Sequence, residues 1–149
     1  MKRIRRILHA TDYSKASERA LQEAVDFAKQ NDAEMLVVHV IQPVVPYVAG
    51  EDIGAAELYV KLEESTKQEA QRSMDKLMQR LERLGVKAKS LLLRGIPADQ
   101  IVKAAKNRKA DMIVIGTHGR TGLSKLFMGS VASRVISTAP SPVLTVRGR

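Results

Sequence analysis

Gly116-Thr117-His118-Gly119, followed after nine residues by Gly129-Ser130, is a spacing suited to holding a phosphate. A short apolar run, Met112-Ile113-Val114-Ile115, precedes it, and a helical pattern from Val131 to Ile136 follows. Strand, glycine-punctuated loop and helix start are the parts of an anion cradle. Glycine permits φ > 0 and close approach of backbone to a ligand. Unpaired N–H groups at a helix start, backed by the positive end of the helix dipole, attract negative charge. The Ser130 hydroxyl adds one donor. Binding of this kind uses the main chain, so it demands small residues at a few points. The commoner phosphate loops are absent, since the chain has neither Gly-x-x-x-x-Gly-Lys-Ser/Thr nor Gly-x-Gly-x-x-Gly.

Turnover finds less support. His118 is the residue type of a general base near neutral pH, yet no second fixed acid–base partner and no Gly-x-Ser-x-Gly elbow accompany it. His9 and His39 fall on apolar strand patterns, where packed and hydrogen-bonded imidazoles are expected. No two of the three histidines have i, i+4 spacing, and no histidine–carboxylate cluster suggests zinc. No metal ligand and no catalytic residue is therefore assigned. Arg120 and Lys125 could neutralise phosphate charge, although basic loop side chains are more often solvated. Hydrolysis is expected to be slow or absent without a partner. A slow hydrolase or transferase using His118 or Asp12 is the alternative.

The elements that must position these residues alternate between strand and helix. Ile4 to His9 reads as a first strand. Ser14 can cap a helix to about Gln30, with Ala20, Leu21, Ala24, Val25 and Ala28 on one face. Glu34 to Ile41 is a second strand, nearly continuous in apolar residues as for a strand covered on both faces. Gln42 to Glu57 reads as a long connection. A helix over about Leu58 to Leu84 follows, with Ala70, Met74, Leu77, Met78, Leu81 and Leu84 at three-and-four spacing and Gly85 as its stop. Val86 to Leu93 is the third strand. Pro97 suits the first turn of a helix to about Arg108 that buries Ile101, Val102 and Ala105. Asp111 to Ile115, Gly129 to Thr138 and Val143 to Val146 are the fourth strand, last helix and fifth strand. Alternation of this kind implies α/β, a doubly wound parallel sheet with right-handed crossovers.

At 149 residues the chain is expected to form one domain, 1–149, burying roughly 70% of its extended surface. There is no cysteine, which excludes disulfides and thiolate chemistry and fits a reducing cytoplasm. No apolar stretch approaches the roughly 20 residues that span a bilayer, and Ile7-Leu8 is too short an apolar region for a signal peptide. The net charge is +9, with Lys2, Arg3, Arg5, Arg6, Arg147 and Arg149 at the two ends. The N-terminal cluster falls at the amino end of the first strand, away from the carboxyl ends where open α/β sheets bind ligands. It reads as a solvated, solubilising tail in preference to a surface for an acidic partner or nucleic acid. Three tyrosines, two phenylalanines and no tryptophan leave little for base stacking.

Four landmarks in order carry a resemblance: Ile4 to Asp12 followed by Ser14, Leu36 to Ile41, Gly95-Ile96-Pro97, and the glycine motif with Pro140-Ser141-Pro142-Val143-Leu144. Together they resemble the universal stress protein family in its ATP-binding branch, over nearly the whole chain. The resemblance implies strand order 3-2-1-4-5, so that winding reverses between strands one and four and a ligand sits outside their carboxyl ends. It implies an ATP site of Asp12, Val40, Gly116, Gly119, Gly129 and Ser130, with Thr11, Ile115, His118, Arg120 and Val131 adjoining. Asp12 would meet a ribose hydroxyl or a phosphate-bound Mg²⁺, against the plainer role of capping the first helix. Val40 would meet adenine through its backbone. ATP would order the Thr117–Met128 loop and switch the surface offered to a partner in a stress response. A homodimer through the exposed edge of strand Val143–Val146 is expected on the same resemblance.

Overall fold

Apolar runs short enough for strands alternate with amphipathic stretches long enough for helices, and the chain folds accordingly. The computed structural model describes residues 2–43, 53–118 and 128–148. The order is β1 (Arg6–Ala10), α1 (Lys15–Asn31), β2 (Glu34–Ile41), α2 (Ile53–Arg83), β3 (Ala88–Arg94), α3 (Pro97–Asn107), β4 (Met112–Gly116), α4 (Ser130–Thr138) and β5 (Val143–Val146). The strands form one parallel sheet in the order β3-β2-β1-β4-β5. β1 is central, with Leu8 opposite Leu36 on one side and Ile113 on the other.

Side chains alternate across a strand, so β1 feeds two cores. Ile7, Val37 and Val114 pack with Leu21, Met74 and Leu81 of α1 and α2. Leu8, Leu36 and Ile113 pack with Ile101 and Val135 of α3 and α4. The expected α1 face of Ala20, Leu21, Ala24, Val25 and Ala28 is buried throughout.

Five expectations shift. β1 begins at Arg6 because the Arg5 N–H turns to the Asp111 carboxylate at 2.9 Å. β3 begins at Ala88, because Val86 N–H donates to Leu81 O at 3.0 Å and closes α2. Gly85, at φ +74°, makes the left-handed turn that this closure needs. Leu84 consequently lies beyond the helix and is 41% exposed instead of joining the buried stripe. The expected connection Gln42–Glu57 is helical from residue 53, while 44–52 lie outside the described residues. Val102 is half-buried, and Ala98 and Ala104 fill the face with Ile101 and Ala105. In the first turns of α2, Leu58, Val60 and Leu62 are exposed.

The N-terminal cluster is solvated at Lys2, Arg3 and Arg5, as expected, but its chain is tied down. Asp111 Oδ2 accepts from the N–H groups of Arg5 and Arg6, and Lys2 Nζ lies 3.3 Å from its other oxygen. The Arg6 guanidinium reaches Glu34 and the carbonyl of Arg108. Burial would raise the Asp111 pKa, but these backbone and side-chain donors outweigh it and hold the carboxyl below its ordinary value.

Candidate functional site

The carboxyl ends of β1 and β4 diverge at the reversal of winding and open a cavity of about 480 Å³, within the usual range for small-molecule sites. Thr11, Asp12, Val40, Ile115, Gly116, His118, Gly129, Ser130 and Val131 all line it. Segments more than a hundred residues apart in sequence thus meet at one place. Gly119 and Arg120, with Lys125, lie outside the described residues.

The start of α1 forms one wall and satisfies itself. Ser14 is the N-cap, accepting from Ser17 N–H at 3.2 Å. Asp12 Oδ1 accepts from Ser14 N–H at 2.9 Å and from the Ser17 hydroxyl at 2.6 Å. Asp12 thus braces the helix entry while its residue lines the cavity. Between them Tyr13 adopts φ +63°, a conformation uncommon for an aromatic residue. Its N–H donates to Thr11 Oγ1, its ring lies 4.5 Å from that of His39, and its hydroxyl donates to Ala70 O in α2. His39 Nδ1 donates to the Thr11 carbonyl at 2.8 Å. Strand β2, helix α2 and the β1 loop are joined through this one side chain.

Gly116 needs its small size for a reason the motif did not suggest. A Cβ there would come within 3.1 Å of Ala16 O, so the glycine clears space for the first turn of α1. Gly148 meets the same turn from the C-terminal side, where a Cβ would lie 2.8 Å from that of Ala16. Thr117 N–H then donates to Val146 O, and Gly129 N–H to Thr117 O at 2.6 Å, which folds the chain from β4 toward α4.

At α4 the N-cap is Gly129, which supplies no side-chain cap, and the first turn holds no acidic residue. The first N–H groups of a helix lack intrahelical partners. Here they belong to residues that line the cavity, Ser130, Val131 and Ala132. Asp12 is the one carboxylate among the described lining residues, and none of those is lysine or arginine. Among the described lining residues, the fixed positive potential therefore comes from the peptide dipoles at the start of α4.

The two strand histidines are packed and hydrogen-bonded, as expected. His9 is fully buried and its Nδ1 donates to Val114 O, but among the described residues nothing meets its Nε2. Burial lowers its pKa to about 4, against the opposing hydrogen bond and the fields of Glu18 and Asp12. The Thr117 hydroxyl lies 2.8 Å from His118 Nδ1, a neighbour that is no acid or base near neutral pH. His118 Nε2 is buried with no partner among the described residues.

Sequence reasoning missed several lining residues. Thr117 enters the sequence reading only within the glycine motif and at the start of the loop ATP would order. Pro97 and Ile101, expected as helix start and core, both reach the cavity from α3. Thr66 of α2 had no signal at all, because only the tertiary path of that helix brings it over the sheet. Among the described residues, no group of three or more His, Cys, Asp or Glu could hold a metal, and no helix is long and apolar enough to cross a membrane.

The universal stress protein family profile matches residues 3–147. The chain belongs to the universal stress protein family. Universal stress protein MJ0531 of Methanocaldococcus jannaschii is 41% identical over 96% of this chain and 82% of its own length. The solved structure of MJ0577, a universal stress protein of the same organism, superposes with a TM-score of 0.87 at 32% identity, covering 99% of each chain. A universal stress protein from Archaeoglobus fulgidus in complex with dAMP superposes at 0.59 with 28% identity, covering 98% of this chain and 99% of that one. The five-stranded order of this family member is the order the resemblance implied.

Proposed function

We propose that this universal stress protein binds ATP in the β1/β4 cavity and acts as a nucleotide-dependent switch in a stress response. The observation that carries the reading is the uncapped start of α4, whose Gly129, Ser130 and Val131 line the cavity. A phosphate there would accept hydrogen bonds that no side chain of the helix supplies, with the dipole adding attraction. Apolar Ile101, Ile115 and Val40 suit a base, and the main chain of Val40 offers both a donor and an acceptor for the adenine edge. Asp12 suits a ribose hydroxyl or a Mg²⁺ carried on the phosphates. Gly119 and Arg120 would complete the phosphate loop. The dAMP complex of the Archaeoglobus relative supports an adenine nucleotide as the ligand class.

Calorimetric titration with ATP, AMP and GTP tests this. ATP should bind with exothermic one-site behaviour and GTP far more weakly. No ATP binding at millimolar concentration would end the reading.

A second reading, slow turnover, has one observation in its favour: the Thr117 hydroxyl and His118 Nδ1 are paired beside the cavity. Single-turnover assays with and without Mg²⁺ distinguish the two. A rate within the ordinary enzymatic range of about 1 to 1,000 per second, abolished in His118→Ala, would make the protein an enzyme.

The switch reading includes a cytoplasmic homodimer. Of the two sheet edges, β3 carries Lys89 and Arg94, whereas Val143-Leu144-Thr145-Val146 has no charge to deter pairing. Two copies meeting there about a two-fold axis would close the assembly. Light scattering at micromolar concentration should give a dimer mass, and Leu144→Lys should shift it toward monomer.

A further inference from the structure

The end of the sheet opposite the cavity gathers cations from three separate segments. The chain before β1 brings Lys2, Arg3, Arg5 and Arg6. The start of β3 brings Lys87 and Lys89, and the α3–β4 turn brings Arg108 and Lys109. All but Arg6 are exposed. Hydrogen bonds lock these segments together: Glu34 N–H to Arg5 O, Met35 N–H to Lys87 O, and Asp111 N–H to Arg6 O. Three carboxylates on these and the adjoining segments are already engaged, while Glu82 and Asp75 of α2 face a pocket beside Lys87. Asp32 meets Lys87, Glu34 meets Arg6 and Lys89, and Asp111 meets Lys2. The side chains of Arg3, Arg5, Arg108 and Lys109 make no ion pair among the described residues. Much of the chain's +9 is thus displayed on one end of a rigid scaffold.

We infer that this end is a docking surface for the phosphodiester backbone of double-stranded nucleic acid, read without regard to sequence. The choice of partner follows from what accompanies the charge. A protein interface needs an apolar, often aromatic, centre, and Leu84 is the one exposed large apolar residue near these segments among those described. A membrane surface is entered by apolar or aromatic side chains at the headgroup boundary, and the one large apolar residue of these segments, Ile4, packs against the core. Single strands are held by stacking on aromatic rings, and no aromatic residue lies in these segments. A duplex presents regularly spaced phosphates with its bases shielded, and it requires only distributed cations.

Fluorescence anisotropy with a labelled duplex of roughly 20 base pairs, titrated from about 50 to about 250 mM NaCl, tests the inference. Binding should be strongest at low salt, with a log–log slope of about −4.5 to −6.3 for five to seven phosphates neutralised. The double variant Arg3→Glu, Arg5→Glu should bind at least about tenfold more weakly, with a slope shallower by about 2. An unchanged melting temperature shows that it folds, and Arg3→Gln, Arg5→Gln should give an intermediate loss. Added ATP, at matched ionic strength, should leave duplex binding unaltered. Four results would each overturn the inference: no binding at the lowest salt, an unaffected double variant, displacement by ATP, or equal binding to single strands, polyglutamate or anionic phosphatidylserine vesicles.

Discussion

Helices α1 and α4 both start at the cavity, and they start in opposite ways. At α1, Ser14 caps the first turn, Asp12 holds Ser14 and Ser17, and Glu18 adds negative charge near the dipole's positive end. Every one of these groups comes from within seven residues of chain. At α4, the cap is a glycine, no carboxylate stands in the first turn, and the leading residues line open space. A helix start that is complete in itself has a structural job. One left incomplete where a cavity meets it has capacity for an anion from outside.

The strongest way to break this contrast is to make α4 resemble α1. Gly129 has φ −59° and ψ 151°, values an aspartate accepts, so Gly129→Asp should supply the missing cap. ATP affinity should fall on the order of 100-fold or more, because a like charge at a binding contact costs several kcal/mol. The melting temperature should meanwhile hold or rise. Calorimetry with ATP beside a thermal melt checks both, and loss of binding together with loss of stability would refute the explanation.

The closed side has a signature in pH. His9 lies beneath α1, and burial keeps its folded pKa near 4 against an unfolded value near 6.5. The unfolded chain therefore takes up a proton that the folded chain refuses. Stability from this group is intact above pH 6.5, declines as pH falls, and has dropped by about 3 kcal/mol once pH reaches 4. Urea unfolding of the unmodified chain and of His9→Leu across that window should differ by a gap that narrows as pH falls.

Gly116→Ala probes the meeting of the two starts. Its Cβ would press on Ala16 O and push the first turn of α1, at a cost of about 1–3 kcal/mol. ATP binding should weaken only as far as that turn moves. Ser14→Ala is the mildest change. Loss of the cap should cost about 1 kcal/mol, or about 2–4 °C in melting temperature. Affinity for ATP should stay within about twofold, since the Ser14 hydroxyl is engaged with Ser17 and does not line the cavity.

Local chemistry was the legible part of this protein. Ser14 as a cap, Pro97 opening α3 and Gly85 ending α2 each follow from one residue's own preferences, and each holds. The buried face of α1 follows from period alone. What was not legible depends on contacts remote in sequence. The need for glycine at 116 comes from Ala16, a hundred residues earlier. Thr66 lines the cavity only because α2 crosses above β2. Residues 53–57 carry Gly54, a poor helix former, and the long helix includes them all the same. The anchoring of the N-terminal arginines by Asp111 is likewise invisible without the fold.

One consequence of the Tyr13–Ala70 hydrogen bond is mechanical. It adds a polar tie beside the cavity to the core packing of Met74 and Leu81 that holds the C-terminal half of α2. Thr66 stands about 6 Å along the axis from that tie, and Ile53 about 25 Å, at 1.5 Å per residue. With the C-terminal half held by that packing, a bend at the tie would carry the far end about four times as far as Thr66. A ligand that displaced Thr66 by one ångström would swing the far end, with its bare Leu58, Val60 and Leu62, through several. The cavity and that apolar tip are two ends of one beam.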